Sequence, residues 1–300
     1  MVNDVQASIR VRSVSKRYPG GTEALKKVEL EIGPGLFGLL GPNGAGKSTL
    51  MRIICTLLEP SEGRVEVCGF DTVGQRTAVR RRVGYLPQEF GAWRLQRVEE
   101  VLDTLARLSG LADRRLRRER IERALGAVGL ESVAQRKVKK LSGGMLRRLG
   151  VAQALLADPP VLVVDEPTVG LDPEERIRFR QLMADLGHDR VILLSTHIVA
   201  DLGAGCGQVA LLDRGEIVFQ GSPSRLVAAA RGRVFEVEPR LASAEGLEEV
   251  SRTASMARVV LIDGAPPNGA REIDEPTLEE AYLAFMARRG GHGSILEEVS

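Results

Sequence analysis

The sequence predicts an α/β protein with a parallel core sheet, an antiparallel β-rich flank, an inserted helical subdomain and a small α+β extension at the C-terminal end. Three observations lead to this prediction. The runs VLVVD and VILLST are almost wholly apolar, which is typical of strands buried on both faces of a parallel sheet. The glycine-rich segment GPNGAGKSTL separates the apolar run GLFGLL from a helical segment. Residues 96–156 place apolar side chains at helical spacing.

The composition is ordinary for a soluble globular protein. The chain has 300 residues, of which 43% are apolar and 27% charged, so it can form one large or two unequal domains. It has no apolar stretch of the roughly 18 residues that a membrane span needs, and residues 1–18 lack the apolar core of a secretion signal. We therefore expect a cytosolic chain. With 4% aromatic residues and a net charge of +2, we expect no specific nucleic acid partner.

The first region, from residue 7 to about residue 88, is rich in short strand-like runs around a single helix. These runs are SIRVRSV, VELEI, LFGLL, GRVEVCG and RVGYLPQ. The three cysteines, Cys55, Cys68 and Cys206, are odd in number and far apart, so we expect core thiols rather than disulfides or metal ligands. The pattern predicts a β-rich flank that leads into a phosphate-binding strand and helix.

The segment GPNGAGKSTL has the composition of a phosphate-binding loop. Its glycines allow successive backbone N–H groups to turn towards an anion, and the helix that begins near Lys47 adds its unpaired N-terminal donors. We predict that Lys47 reaches the β- and γ-phosphates of a nucleotide and that Ser48 ligates Mg²⁺. The predicted nucleotide-binding residues in this loop are Gly41, Pro42, Asn43, Gly44, Ala45, Gly46, Lys47, Ser48 and Thr49.

The middle of the chain changes to a helical pattern and then returns to buried strands. Residues 89–156 are predicted to form the inserted helical subdomain. The runs VLVVD and VILLST flank the helix PEERIRFRQLMADLG, which predicts a strand–helix–strand unit. We place this whole nucleotide-binding domain at residues 7–226.

The C-terminal part has a different pattern. SPSRLVAAARG predicts a short helix, RVFEVEP and ARVVLIDG predict two strands, and TLEE is a capping box that opens a last helix. We predict a small α+β extension over residues 227–289 and a disordered tail over residues 290–300.

Two carboxylates follow the buried run at Val161–Val164. In an open α/β sheet the carboxyl ends of the strands are where ligands bind. Asp165 is therefore expected beside a Mg²⁺ ion held by Ser48, and Glu166 is expected to be free to polarise an attacking water. The alternative for this pair alone is a strand that ends in acidic residues where it meets solvent.

The stretch LSGGMLRRLGVAQALLADPPVLVVDEPTVGLD, residues 141–172, resembles the signature region of an ATP-binding cassette (ABC) ATPase. Tyr18, the glycine-rich loop and Gln88 in GYLPQEFG precede this stretch, and His197 in LLSTH comes after it. This order of motifs is typical of that family, and the resemblance covers roughly residues 8–226. The resemblance implies an ABC-type nucleotide-binding fold of the P-loop class. It also implies an ATPase that uses ATP and Mg²⁺.

The resemblance also implies a head-to-tail homodimer. Ser142, Gly143 and Gly144 at the start of a helix match the group that caps ATP held on the P-loop of the other chain, so that ATP is sandwiched between two subunits. Asp172 matches the residue that crosses this interface.

Further roles follow from matching positions. Tyr18 matches the aromatic residue that stacks on adenine, although an ordinary strand-end tyrosine is the alternative. Gln88 matches the glutamine that touches Mg²⁺ and the attacking water. His197 matches the switch histidine that contacts the γ-phosphate, with a capping or core histidine as the alternative. The candidates for catalysis are Glu166, His197, Gln88 and Lys47, and those for the metal are Ser48, Gln88 and Asp165.

The implied function is that of an ATPase subunit that drives transport through a separate transmembrane permease, at the cytoplasmic face of the membrane. EPTLEEAYLAFM resembles the closing helix of exporter ATPases for antibiotics, drugs, lipids or polysaccharides, which favours export. The alternatives are an importer ATPase and a soluble ABC protein that acts on ribosomes or DNA. A P-loop kinase or GTPase is disfavoured by LSGG. The transported substrate stays unidentified, because its selection would reside in the permease.

The predicted helical subdomain is also basic. Residues 113–140 carry ten Lys or Arg residues against four acidic ones. A solvated helix face explains this charge, and proximity to anionic lipid head groups is the alternative.

Overall fold

The computed structural model describes residues 7–202, 205–287 and 289. The chain forms two compact units, which divide between Gln220 and Gly221. The predicted domain limits of 7–226, 89–156 and 227–289 stay predictions, and the tail predicted for residues 290–300 lies outside the described residues. Every helix in the described part of the chain is too short or too polar to cross a membrane.

The first unit contains most of the regular structure. Its strands are β1 (Ile9–Arg17), β2 (Glu23–Ile32), β3 (Gly35–Leu40), β4 (Glu62–Val67), β5 (Phe70–Asp71), β6 (Val83–Leu86), β7 (Val161–Asp165), β8 (Val191–Thr196), β9 (Cys206–Asp213) and β10 (Glu216–Gly221), the last of which extends one residue into the second unit. Its helices are α1 (Lys47–Ile54), α2 (Arg76–Arg80), α3 (Val98–Leu108), α4 (Arg114–Val128), α5 (Gly143–Leu155) and α6 (Pro173–Leu186), with short 3-10 turns at Glu131–Val133, Val138–Lys140 and Val199–Leu202.

The core sheet has six strands in the order β10-β9-β3-β8-β7-β6. The β9-β3, β3-β8, β8-β7 and β7-β6 pairs are parallel. Every residue of β7 and β8 is buried, as expected for apolar strands covered on both faces. The predicted parallel core sheet is therefore confirmed, and the carboxyl ends of β3, β7 and β8 meet at one edge.

The flanking sheet has the order β2-β1-β4-β5, and its paired strands are antiparallel. Along β1, Ile9 and Val11 are buried while Arg10 and Arg12 are exposed, because successive side chains of a strand point to opposite faces. The buried face joins the apolar side of α1 in one hydrophobic cluster, to which Leu50, Met51, Ile53 and Ile54 belong. This packing fixes the position of α1 relative to the glycine-rich loop that precedes it.

Helices α3, α4 and α5 form the helical region between β6 and β7. The Asp113 side chain caps α4 by accepting a hydrogen bond from the Leu116 N–H at 2.7 Å, and the left-handed Gly129 ends that helix. Asp158, just before β7, accepts hydrogen bonds from Arg120 of α4 and from Arg190, the residue before β8. Burial acts to raise the pKa of Asp158, but the two arginines outweigh it and lower that pKa. This carboxylate therefore joins the helical region to the core sheet.

The second unit is a small α+β structure. Its elements are α7 (Pro223–Ala229), β11 (Val234–Val237), β12 (Leu247–Arg252), β13 (Ala257–Leu261), β14 (Arg271–Glu272) and α8 (Leu278–Ala287), with a 3-10 turn at Pro239–Leu241. The strand order is β12-β13-β11-β14, and every pair is antiparallel. The predicted capping box is confirmed: the Thr277 N–H donates to the Glu280 carboxylate at 2.7 Å, and the Glu280 N–H donates to Oγ1 of Thr277 at 3.2 Å. The strand β12 was not predicted from the sequence.

Candidate functional site

The glycine-rich loop connects the end of β3 to the start of α1. Gly44 and Gly46 have φ of 80° and 110°, which L side chains rarely adopt. A Cβ atom at Gly41 would collide with the carbonyl oxygen of Leu212, and one at Gly46 would lie 2.5 Å from the carbonyl oxygen of Ala24. The loop therefore needs glycine at these positions both for its turn and for its close approach to the neighbouring strands.

Lys47 begins α1 and points back into the loop. Only 4% of its surface is exposed. Its Nζ donates hydrogen bonds to the carbonyl oxygens of Gly41 at 2.7 Å and Pro42 at 3.1 Å, and it lies 3.2 Å from Oε1 of Glu166. The loop thus holds a buried positive charge where the sequence predicts the phosphates of a nucleotide.

Glu166 and His197 follow two neighbouring strands, β7 and β8. Oε2 of Glu166 lies 3.2 Å from Nδ1 of His197, while Oε1 faces Lys47. Glu166 therefore lies between a lysine and a histidine, and its expected role in polarising an attacking water stays a prediction. Its φ of 42° is unusual for a residue with a Cβ, and such backbone strain is often found at functional sites. Lys47, Glu166 and His197 therefore form one connected group.

Asp165 lies beside this group at the end of β7. It is 2% exposed and accepts a hydrogen bond from the Ser195 hydroxyl at 2.6 Å. The same hydroxyl accepts a hydrogen bond from the Glu166 N–H at 3.0 Å. Burial, and then the charge of Asp165, raise the pKa of Tyr85 to about 12 and also raise the pKa of Cys55. Ser195 was not predicted from the sequence, where its only signal is a hydroxyl near the end of an apolar run.

The predicted metal ligands supply only oxygen atoms. Ser48 lies in the first turn of α1, and Asp165 lies at the tip of β7. Within the described residues, His, Cys, Asp and Glu side chains nowhere gather in a group of three or more that could hold a metal ion. Mg²⁺ is commonly bound by one or two carboxylates together with waters and substrate phosphates, so a hydroxyl and a single carboxylate fit Mg²⁺ that arrives with a nucleotide.

Tyr18 lies next to α1. Its hydroxyl is 3.2 Å from Oγ1 of Thr49, and the Lys16 ammonium is 5.6 Å from the centroid of its ring. The ring is only partly buried, which leaves part of its surface open beside the loop. This placement suits an aromatic residue that contacts a nucleotide base.

Gln88 is exposed just after β6, where the chain leaves the core sheet for the helical region. Arg147 of α5 donates a hydrogen bond to the carbonyl oxygen of Pro87 at 3.2 Å, and burial lowers the pKa of that arginine. The residue before Gln88 is therefore tied to the helix that begins at the LSGG segment.

The LSGG segment forms a second glycine-rich helix start. The Ser142 hydroxyl caps α5 by accepting a hydrogen bond from the Met145 N–H at 3.2 Å, and Ser142 and Gly143 are exposed. Gly144 is buried, and a Cβ there would collide with the Glu175 carboxylate.

Asp172 has a similar local role, because it caps α6 through the Glu175 N–H at 2.9 Å. The side-chain hydrogen bonds of Ser142 and Asp172 are thus local to their own helices. The Glu166 carboxylate, by contrast, contacts the side chains of both Lys47 and His197.

These features define a class of protein. A parallel strand, a glycine-rich turn, a helix that begins with a buried lysine, and two carboxylates at the same sheet edge are the parts of a P-loop nucleotide-binding protein. The second glycine-rich helix start, in the LSGG segment, narrows this class to P-loop proteins that resemble ABC ATPases.

Comparisons with known proteins agree with this class. A family model described as ABC transporter matches residues 25–169. The probable multidrug ABC transporter ATP-binding protein YbhF of Escherichia coli is 31% identical over 97% of this chain and 54% of its own length, so the chain spans about half of that relative. Nod factor export ATP-binding protein I of Paraburkholderia xenovorans is 35% identical over 94% of this chain and 98% of its own length.

Solved structures give the same result. The dimeric structure of a post-hydrolysis state of an ATP-binding cassette, bound to ADP and Pi, aligns with a TM-score of 0.64 at 28% identity and covers 71% of this chain and 98% of that one. The chain belongs to the ABC transporter family of ATP-binding proteins. Its first unit has the α/β cassette fold of that family, and the resemblance predicted from the sequence is confirmed.

Proposed function

We propose that this chain binds ATP with Mg²⁺, closes as a head-to-tail homodimer and hydrolyses ATP to drive export through a separate membrane permease. The observation that carries the proposal is the connected group at the sheet edge. Glu166 lies 3.2 Å from both the Lys47 ammonium and the His197 ring, with Asp165 next to it in sequence.

Each member of the group has a task in hydrolysis. Lys47 neutralises charge on the β- and γ-phosphates. Its ammonium can leave the Glu166 carboxylate and bind phosphate oxygens, because both groups are anions. Glu166 then accepts a proton from the water that attacks the γ-phosphorus, while ADP leaves. His197 donates to a γ-phosphate oxygen and holds the Glu166 carboxylate in place. Ser48, Asp165 and Gln88 would hold Mg²⁺, which would supply further positive charge at the phosphates when bound.

The second helix start supports the proposed dimer. Ser142 and Gly143 are exposed, and the N-terminus of α5 offers N–H groups and a positive dipole end to an anion. A second copy of the chain can bring its P-loop nucleotide to this surface. Asp172, at the start of α6, would then face the partner, and Tyr18 would stack on the adenine.

The direction of transport rests on relatives. One is named as a probable multidrug transporter protein and another as a Nod factor export protein, which supports export. The chain would act peripherally at the cytoplasmic face of the cell membrane, because the permease would provide the path for the substrate. The nature of that substrate would be set by the permease.

The test uses the purified full chain. We expect ATP hydrolysis that stops when EDTA removes Mg²⁺ and that increases when the permease is present. Purification from membranes, followed by identification of the bound multi-span protein, identifies the permease, and its fold separates export from import. A chain that fails to hydrolyse ATP both alone and with its membrane partner would contradict the proposal.

A further inference from the structure

A buried carboxylate lies behind the reactive group and takes no part in the chemistry described above. Asp201 is in the 3-10 turn at Val199–Leu202, just after β8, and is 3% exposed. Its Oδ2 accepts hydrogen bonds from the hydroxyls of Thr168 and Thr196, the second at 3.0 Å. Both threonines are buried.

The two donors lie on the two segments that carry the reactive groups. Thr168 is two residues after Glu166, and Thr196 immediately precedes His197. The Thr196 hydroxyl also accepts a hydrogen bond from the Ile198 N–H at 2.9 Å, so it fixes the backbone on both sides of His197. A single carboxylate oxygen therefore connects the segment after Glu166 with the segment around His197.

A second connection joins the same two segments on the other side of Glu166. Ser195 binds the Asp165 carboxylate and the Glu166 N–H, before the reactive side chains. Asp201, through Thr168 and Thr196, connects the segment after Glu166 with the residue before His197. Glu166 therefore has one of these connections on each side of it in sequence. The turn that carries Asp201 is itself held by Arg180 of α6, which donates to the carbonyl oxygen of Ala200.

Burial of a carboxylate has a large cost in free energy unless it is fully hydrogen-bonded, so both hydroxyls are needed. Removal of either threonine hydroxyl leaves Asp201 with one of these two hydrogen bonds. The segment after Glu166 can then move relative to the segment around His197. Displacements of this kind are costly for reactions that depend on the relative position of a base, a phosphate and a water.

We propose that Asp201 is a positioning residue for ATP hydrolysis, which acts through Thr168 and Thr196 to set the distance between the Glu166 carboxylate and the His197 ring. The inference rests on the proposed ATPase function. It assigns to Asp201 no contact with nucleotide, so it concerns turnover rather than binding.

The test compares two substitutions of one side chain. Thr168→Val removes the hydroxyl at nearly constant volume, and Thr168→Ser retains it. We expect Thr168→Val to lower kcat by about 10- to 100-fold with KM and the calorimetric Kd for ATP changed less than about threefold. Thr168→Ser should stay within about threefold of wild type in all three quantities. Asp201→Asn, which keeps the shape but alters the acceptor, should lie between them.

A second readout needs no nucleotide. The chain has three histidines, so the ring nitrogen NMR signals of His197 can be assigned by their loss in His197→Ala. We expect these signals to move in Thr168→Val and to stay unchanged in Thr168→Ser, with similar far-UV circular dichroism for both variants.

The outcomes separate this inference from the proposed function. Wild-type kcat and unchanged His197 signals in Thr168→Val would overturn the inference and leave the ATPase intact. An equal loss of kcat and ATP affinity in both Thr168 variants would also overturn it, because that result indicates a general structural role. If the wild type lacks ATPase activity, the proposed function fails, and the NMR comparison still decides whether Asp201 positions His197.

Discussion

The two glycine-rich helix starts of the cassette differ in what surrounds them. The start of α1 is enclosed: Lys47 is buried, the neighbouring strands crowd its glycines, and Glu166 lies against its ammonium. The start of α5 is open, because Ser142 and Gly143 are exposed and their hydrogen bonds are local.

This difference suggests separate roles for the two helix starts under the proposed function. The enclosed start has a buried cation beside two carboxylates, which under the proposed function hold the phosphates and cleave the γ-phosphate. The open start has N–H groups and a hydroxyl, and Arg148 of the same helix lies 3.7 Å from the Glu175 carboxylate. Under the proposed function this start adds a cap to a nucleotide held elsewhere. Substitutions at α1 should therefore affect binding and chemistry within one chain, while those at α5 should affect association.

The largest effect is expected from Glu166→Gln. The change removes the proton acceptor but leaves Lys47, Ser48 and Asp165, so kcat should fall by roughly 1000-fold while the Kd for ATP stays near that of the wild type. The measurements are the steady-state ATPase rate with Mg²⁺ and calorimetric titration with ATP. Hydrolysis at the wild-type rate would exclude Glu166 as the base.

Lys47→Ala should act on binding itself. Loss of a buried charge that faces the phosphates should weaken ATP binding by roughly 100-fold, measured by calorimetry. Arg52→Ala is the matched control, because it removes an exposed positive charge from the same helix and should leave the Kd within about threefold. Equal losses in the two variants would indicate that net charge alone, and not the position of Lys47, determines affinity.

A pair of glycine substitutions separates the two starts by stability. Gly46→Ala places a methyl group at φ of 110° and against the carbonyl oxygen of Ala24, so the free energy of unfolding should fall by about 2 kcal/mol. Gly143→Ala meets nothing within 4 Å and should change stability by less than about 0.5 kcal/mol. Chemical denaturation measures both. Similar losses at both positions would contradict the contrast between an enclosed and an open start.

The smallest effect is expected from Tyr18. Tyr18→Ala removes the ring beside the loop and should weaken ATP binding by about 2- to 10-fold, whereas Tyr18→Phe retains the ring and should bind nearly as the wild type does. If the two variants weaken binding equally, the hydroxyl contact with Thr49 and not the ring surface is responsible.

The sequence predicted well those features that depend on local pattern. The all-apolar runs of β7 and β8, the helix at Lys47 and the capping box of Thr277 and Glu280 are each determined by residues close together in the chain. The strand at Leu247–Arg252 was not predicted, because four of the six residues of LEEVSR are polar, they lack strict alternation, and the strand depends on its pairing with β13.

Within the site, sequence patterns could identify residues but not their contacts. The motifs indicated Lys47, Glu166 and His197, yet the ion pair of Lys47 with Glu166 joins residues over 100 positions apart. Asp201 and Ser195 were missed for the same reason: a buried acid or hydroxyl carries no periodic signal, and its partners become evident only when the strands are assembled.

The central claim is that α5 of one chain caps the nucleotide on α1 of another. Its most direct test is the mass of the protein in solution, measured by light scattering with and without ATP. Glu166→Gln should be a monomer without ATP and a dimer with ATP. The double variant Glu166→Gln with Ser142→Arg should bind ATP equally well and stay monomeric, since the arginine fills the open helix start. If the double variant dimerises with ATP as readily as Glu166→Gln does, the claim is wrong.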